Sequence, residues 1–231
     1  LDETIVGTDG EATFELPDGT RSVELQGVPS ELQVRNEANP DELVQGENVT
    51  LRARFFASDE VFERPVTNGT VSLDGLPADQ ELVVTVKESN ADFTYRRILL
   101  DNLVETSEIY ILPTDVPSAE IRFELNDQTG RFGEGTKLFV EKPITRNGNT
   151  QYRVISGDFV GADGQFPTIL IDAERYRLRI ENSDGETRVL GSYTVQGAEV
   201  ARLPIGDVTF EGSVESDPAL QVNLREAPDG A

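Results

Sequence analysis

The chain has 231 residues with 43 acidic and 20 basic side chains, a formal charge of −23, and no Cys, His, Met or Trp. Without Cys or His it has no disulfides, thiolate metal sites, cysteine nucleophiles or imidazole bases, and so acidic a chain should repel nucleic acid and anionic membranes. No apolar run approaches the roughly 18 residues of a membrane span, so no direct membrane insertion is expected within this segment.

In chain order, residues 1–46 show a turn at Asp9-Gly10, the alternating run Ala12-Phe14-Leu16 and a second turn at Asp18-Gly19. Gly after Asp or Asn accepts the positive φ of a tight turn. The stretch reads as the later strands of a partial module. Residues 47–112 carry Val49-Leu51-Ala53-Phe55, the Asn68-Gly69 turn and Leu82-Val84-Val86, and read as one module. Such period-2 alternation marks half-buried strands. The least strand-like stretch is 92–106. Residues 113–118 hold Pro113 and Pro117 and read as a short semi-rigid linker, because proline presets an extended backbone. Residues 119–205 hold Ile121-Phe123-Leu125, the Asp163-Gly164 turn and Tyr176-Leu178-Ile180. Pro143 to Thr150 reads as the longest loop. Residues 206–231, with Leu220-Val222-Leu224, read as the opening strands of a further module. No segment shows a helical period over helical length. The expected fold class is all-β: tandem small Greek-key-like β-sandwich modules, with no long helix.

Residues 121–125 (Ile-Arg-Phe-Glu-Leu) precede a turn in which Asp127, Gly130 and Gly135 have the spacing Asp-x-x-Gly-x-x-x-x-Gly. Asp163-Gly164-Gln165-Phe166 and Tyr176-Arg177-Leu178-Arg179-Ile180 follow. With these motifs, 119–204 resembles the carboxypeptidase regulatory-like domain, a transthyretin-like and immunoglobulin-like sandwich related to the B-type repeats of collagen adhesins. The resemblance implies a fold, since its motifs encode turns and core. Transthyretin-like enzymes that open purine-derived rings rely on histidine, which this chain lacks, so that activity does not transfer. Adhesin B-type repeats can carry a Lys–Asn isopeptide crosslink. Lys137 stands near the early strand where such a lysine belongs, but no matching Asn stands out, and Lys137 reads as an exposed strand residue. The charge balance, with only Lys87, Lys137 and Lys142 as lysines, resembles that of haloarchaeal proteins.

Candidate sites are sparse. Carboxylates abound, but no pair is marked out as catalytic, and no enzyme is expected. Calcium, which takes oxygen ligands, is the one cofactor to consider, at turn carboxylates such as Asp127, Asp163 and Asp184. None of these forms a dense Asp-rich loop, and the expected cofactor set is none. Arg175, Arg177 and Arg179 share a strand face; they could bind an anion, but pairing with acidic residues on a neighbouring strand is the expected reading. Asn48 and Asn68 lie in glycosylation sequons. The expected role is a non-catalytic spacer, stalk or adhesive module of an extracellular cell-surface protein in a high-salt organism. The alternative is a glycan- or protein-binding module acting through loops at one sandwich end, with Tyr152 the aromatic nearest the 143–150 loop. Incomplete modules at 1–45 and 207–231 would expose strand edges, so two outcomes are open: the ends pack together, or onto the central modules, to complete a sandwich, the slightly favoured outcome, or the edges pair with another copy in self-association.

Overall fold

The computed structural model describes residues 11–16, 19–24, 31–44, 49–77, 80–88, 92–103, 106–133, 135–146 and 148–206, and among them every regular element is a β-strand. β1 (Glu11–Leu16) and β2 (Gly19–Glu24) pair antiparallel, with Glu11 opposite Glu24 and Leu16 opposite Gly19. Seven strands then form a first sandwich: β3 (Glu31–Asn36), β4 (Val49–Phe55), β5 (Val61–Pro65), β6 (Thr70–Ser72), β7 (Leu82–Glu88), β8 (Ile98–Leu100) and β9 (Glu108–Ile111). Seven more form a second: β10 (Ser118–Asp127), β11 (Lys137–Arg146), β12 (Asn149–Phe159), β13 (Gln165–Ile171), β14 (Arg175–Glu181), β15 (Thr187–Thr194) and β16 (Glu199–Ile205). Alternation does what its period requires. On β4, Val49, Leu51, Ala53 and Phe55 are buried while Arg52 and Arg54 face out. On β14, Tyr176, Leu178 and Ile180 are buried.

The two sandwiches repeat one strand order. The three-stranded sheets run β6-β3-β9 and β13-β10-β16, and the four-stranded sheets run β5-β4-β7-β8 and β12-β11-β14-β15. In each, the first strand pairs parallel to the last, with Asn36 opposite Ile111 and Asp127 opposite Ile205. The next residue then donates its N–H to that last strand: Glu37 to the Ile111 carbonyl at 2.9 Å, Gln128 to the Ile205 carbonyl at 2.8 Å. An Asx side chain caps the turn that follows in both, Asn36 accepting from Ala38 and Asp127 from Thr129.

Three sequence expectations shift. The strand at 31–36, placed in a preceding partial module, is the central strand of the β6-β3-β9 sheet, so the first sandwich begins before residue 47. Its Leu32 and Val34 are fully buried in that core. The stretch 143–150 is a strand hairpin: Ile144 is buried, Arg146 pairs with Asn149, and Gly148 takes φ +78°. Polarity hid it, although Asn147-Gly148 is the dipeptide a two-residue hairpin favours. The 113–118 stretch is packed rather than bare, with Pro113 bridged to Phe93 and the Pro117 carbonyl accepting from Asp172 at 3.0 Å. Residues 207–231, which make up nearly all of the expected C-terminal partial module, and residues 1–10, 17–18, 25–30 and 45–46 of the expected N-terminal one lie outside the described residues, as does Asn48.

Candidate functional site

The densest chemistry in the molecule lies where the two sandwiches meet. Strand β12, an edge of its sheet, lies against both β8 and β9, the last strands of the first sandwich's two sheets. The Gly157 N–H donates to the Arg97 carbonyl at 2.9 Å. Glycine permits that approach: a Cβ there would stand 3.2 Å from the Leu99 Cβ and 3.1 Å from the Leu138 carbonyl oxygen. Phe56 and Phe159 meet edge to face across the seam at 4.8 Å. The cores exchange a side chain each. Tyr110 of β9 is buried in the second core, and Val154 of β12 packs on the first.

Ionic groups fill the rest of the seam. Glu37, fully buried, accepts from Arg96 Nη2 at 2.5 Å through Oε2 and from the Tyr176 hydroxyl at 3.0 Å through Oε1. Lys142 Nζ lies 3.9 Å from Oε1. Arg96 also donates to the Ile169 carbonyl at 3.2 Å, and the Tyr176 oxygen accepts the Ile171 N–H at 3.0 Å. Burial and the Glu37 charge push the Tyr176 phenol up. Glu108 forms a second node. It pairs with Arg35 at 2.9 Å, Arg146 at 2.5 Å and Arg153 at 3.4 Å, and accepts the Tyr110 hydroxyl at 2.7 Å. Burial, then the hydrogen bond to Glu108 and its charge, push the Tyr110 phenol up to about 12.

Lys137 is the third node, held by Glu81 of the first sandwich and by Glu181 at 2.7 Å. Burial works against its charge, but the hydrogen bonds to these carboxylates hold its pKa above the ordinary lysine value. This corrects its reading as an exposed strand residue: the first sandwich covers it. Glu81, Asp101 and Glu181 bring carboxylate oxygens within 4.8 Å of one another, the geometry of a cation site, and the Lys137 ammonium bonds to two of the three. Asp101 is pushed up, chiefly by burial. Arg97 pairs with Asp158 across the same seam. Glu37 and Glu108 are buried, while their partners range from buried Arg96 and Arg35 to partly exposed Arg146 and Arg153, and at each node at least one ionic or hydrogen-bonded contact crosses between the sandwiches.

The residues singled out in the sequence fall elsewhere. Arg177 and Arg179 converge on Glu141 of the neighbouring strand at 2.5 and 2.9 Å and stack over Tyr152 and Phe139, while Arg175 is exposed. Asp127 serves its own turn, accepting from Thr129 and from the Phe132 N–H at 2.7 Å. Burial raises its pKa, but these bonds outweigh it and keep the carboxyl below its ordinary value. Asp163 accepts the Gln165 N–H at 3.0 Å, and Asp184 is exposed in a turn ordered by Asn182. The three are not brought together. Asn68 is exposed at φ +50° in the tight turn between β5 and β6. Sequence reasoning missed the joint. One signal was present: Lys142 alternates with Leu138, Val140 and Ile144, a cation on a core-facing register, which asks for a buried partner. Nothing in the sequence pointed to Glu37 as that partner.

No family model matches the chain, and no curated protein matches it. Among solved structures, it is similar to a minor pilin of Streptococcus agalactiae, at 11% identity over 80% of this chain and 100% of that one, TM-score 0.27. It is also similar to the shaft pilin of Lactobacillus rhamnosus GG, at 10% identity over 75% and 95%, TM-score 0.29. A streptococcal ancillary pilin overlays at 14% identity over 87% and 73%, TM-score 0.26. Scores this low leave the all-β sandwich assignment resting on the strand order itself.

Proposed function

We propose that this chain is a non-catalytic structural segment, a spacer or adhesive stalk of an extracellular cell-surface protein in a high-salt organism. The observation that carries this reading is the joint. Two sandwiches of one design are fixed to each other by buried ion pairs and an exchanged core residue, which transmits orientation and force along the chain. A flexible tandem would need only the linker. The charge of −23 and the three lysines support the high-salt setting. In that setting exposed charges are screened within about 3 Å at molar salt, while the buried seam carboxylates Glu37 and Glu108, which face Lys142 and Arg146 of the second sandwich, are screened far less. Asn68, exposed in its turn, is the glycan acceptor such a location would use.

Small-angle scattering from about 0.1 to 2 M NaCl, spanning the change in screening length, tests the reading when paired with thermal melts. The expected result is one fixed inter-sandwich arrangement at high salt and a melting temperature that rises with chloride. Sulfate serves as the control for generic salt exclusion. A broad distribution of arrangements at molar salt would overturn the rigid spacer, and a melting temperature flat in chloride would overturn the high-salt setting.

A further inference from the structure

We propose that the side of the second sandwich formed by β15 and β16 binds the β5 edge of another copy of this chain, repeating between copies the joint that β8, β9 and β12 make within one. The proposal rests on the structural reading above and names the partner and the surfaces.

The strand order sets the equivalence. β8 and β9 are the sixth and seventh strands of the first sandwich, and β15 and β16 hold those places in the second. Strand β12 is the third strand of the second sandwich, and β5 holds that place in the first. The internal joint therefore uses one side of each sandwich and, among the described residues, leaves its counterpart on the other sandwich open. The strands that the joint covers and their open counterparts differ in exposure. On β8, Leu99 stands between core-facing Ile98 and Leu100, turns outward, and is 0% exposed because β12 covers it. On β15, Val189 lies opposite outward-facing Arg179 and is 53% exposed. On β9, Tyr110 turns outward between Ile109 and Ile111 and is 0% exposed in the second core. On β16, Val200 lies opposite exposed Arg122 and is 51% exposed. The hydrogen bond from the Tyr193 hydroxyl to Glu199 ties β15 to β16, the two strands that carry these valines. On the other open side, Val61 of β5 is 43% exposed.

Among the described residues, the exposed large hydrophobics are these three valines, Tyr95 and Tyr152. Tyr152 lies under Arg177 and Tyr95 lines the clefts at the joint, so the aliphatic ones fall on the two open sides alone. Among the described residues, β5 and β15 are edge strands of four-stranded sheets, with one row of backbone groups free to pair. A head-to-tail contact of two different faces does not close on itself and grows into an open chain.

Sedimentation velocity on the full chain in about 2 M NaCl, where repulsion between copies is screened, tests this up to about 1 mM, the weak end of specific association. The wild type should sediment faster with concentration, past the dimer. Val61→Asp should lose one face and the double variant Val189→Asp/Val200→Asp the other, each cutting association about tenfold or more. An equimolar mixture of the two should form a one-to-one dimer and nothing larger, because each retains the face its partner lacks. Melting curves confirm that the variants are folded, and Val200→Asp alone replaces the double variant if β15 is disturbed. A wild type that stays monomeric, variants that associate as well as the wild type, or a mixture that stays monomeric would each overturn the proposal. Scattering from the Val61→Asp monomer tests the rigid joint separately, so the two readings can fail apart.

Discussion

The two sandwiches share a strand order but not a degree of self-sufficiency. The second is built from strands of seven to eleven residues, and its core holds Phe123, Phe132, Phe166 and Tyr176. In the first, β6 and β8 have three residues each and β9 has four, and Phe55 is the one aromatic in its buried core. Short strands make few ladder bonds, and their outward residues need cover from elsewhere. The second sandwich gives it: Gly157 and its neighbours close over Leu99, and the second core takes in Tyr110. One design can therefore be complete in one copy and finished by its neighbour in the other. The joint belongs to the first sandwich's stability as much as to the molecule's shape.

The strongest way to break that comparison is at Glu37. Replacing Glu37 by Ala leaves Arg96 buried beside the joint without its carboxylate, strips Tyr176 of its acceptor and removes one of the two carboxylates beside Lys142, leaving only the half-exposed Glu174. Removing one partner of a buried ion pair costs about 3–5 kcal/mol. Chemical denaturation of Glu37→Ala should show that loss, with the transition splitting so that the first sandwich unfolds ahead of the second. A single transition at the wild-type midpoint would mean that the first sandwich does not lean on the joint.

A smaller perturbation separates contact from charge. Gly157→Val places a side chain where even a Cβ meets Leu99 and the Leu138 carbonyl oxygen. Overpacking of this kind costs about 1–3 kcal/mol, and the strain falls on the seam. Gly148→Ala is the control. Gly148 sits at φ +78° with open space around it, so the substitution costs about 1–2 kcal/mol of backbone strain inside the second sandwich. Hydrogen exchange should report faster opening of β8 in Gly157→Val and unchanged β8 protection in Gly148→Ala. Equal effects on β8 would show that the seam transmits strain from anywhere in the second sandwich.

How much of this could be read in advance follows from the range of each interaction. Strands and turns are local, so the alternation in β4, β10 and β14 and the turns at Asn68-Gly69 and Asp163-Gly164 were legible. So was the pairing of Arg177 and Arg179 with an acidic neighbour, although Glu141 could not be named. Strand β3 was misplaced because its identity depends on β6 and β9, the latter more than seventy residues away. The 143–150 hairpin is hidden in sequence because its strand ends are polar, and only the Asn-Gly dipeptide marks it. The joint was invisible for the same reason as β3. Glu37 and Tyr176 are 139 residues apart, and Glu108 gathers arginines from β3, β11 and β12. A buried ion pair leaves a trace in sequence only where one member breaks a pattern, as Lys142 does and Glu37 does not.

The subtlest test uses pH at the second node. Tyr110 titrates at about 12 in the folded chain against an ordinary value of 10.0, because burial and Glu108 oppose the phenolate more than Arg146 favours it. A folded value above the unfolded one gives stability that is fully present below the unfolded value and lost as pH rises through the folded value. The melting temperature of the first sandwich should therefore fall between about pH 10 and pH 12 as this contribution is withdrawn. Tyr176, Tyr193 and Lys137 are raised as well and add to the same decline, so the wild-type curve alone does not isolate Tyr110. Tyr110→Phe does. Near neutral pH it loses one hydrogen bond to a charged acceptor, about 1.5–3 kcal/mol at most, and keeps the ring in the second core. Its stability should then decline less steeply than that of the wild type, and the two curves should converge toward pH 12. Parallel curves over that window would show that Tyr110 keeps its proton no more tightly in the joint than in the unfolded chain, and that Glu108 is balanced by its arginines.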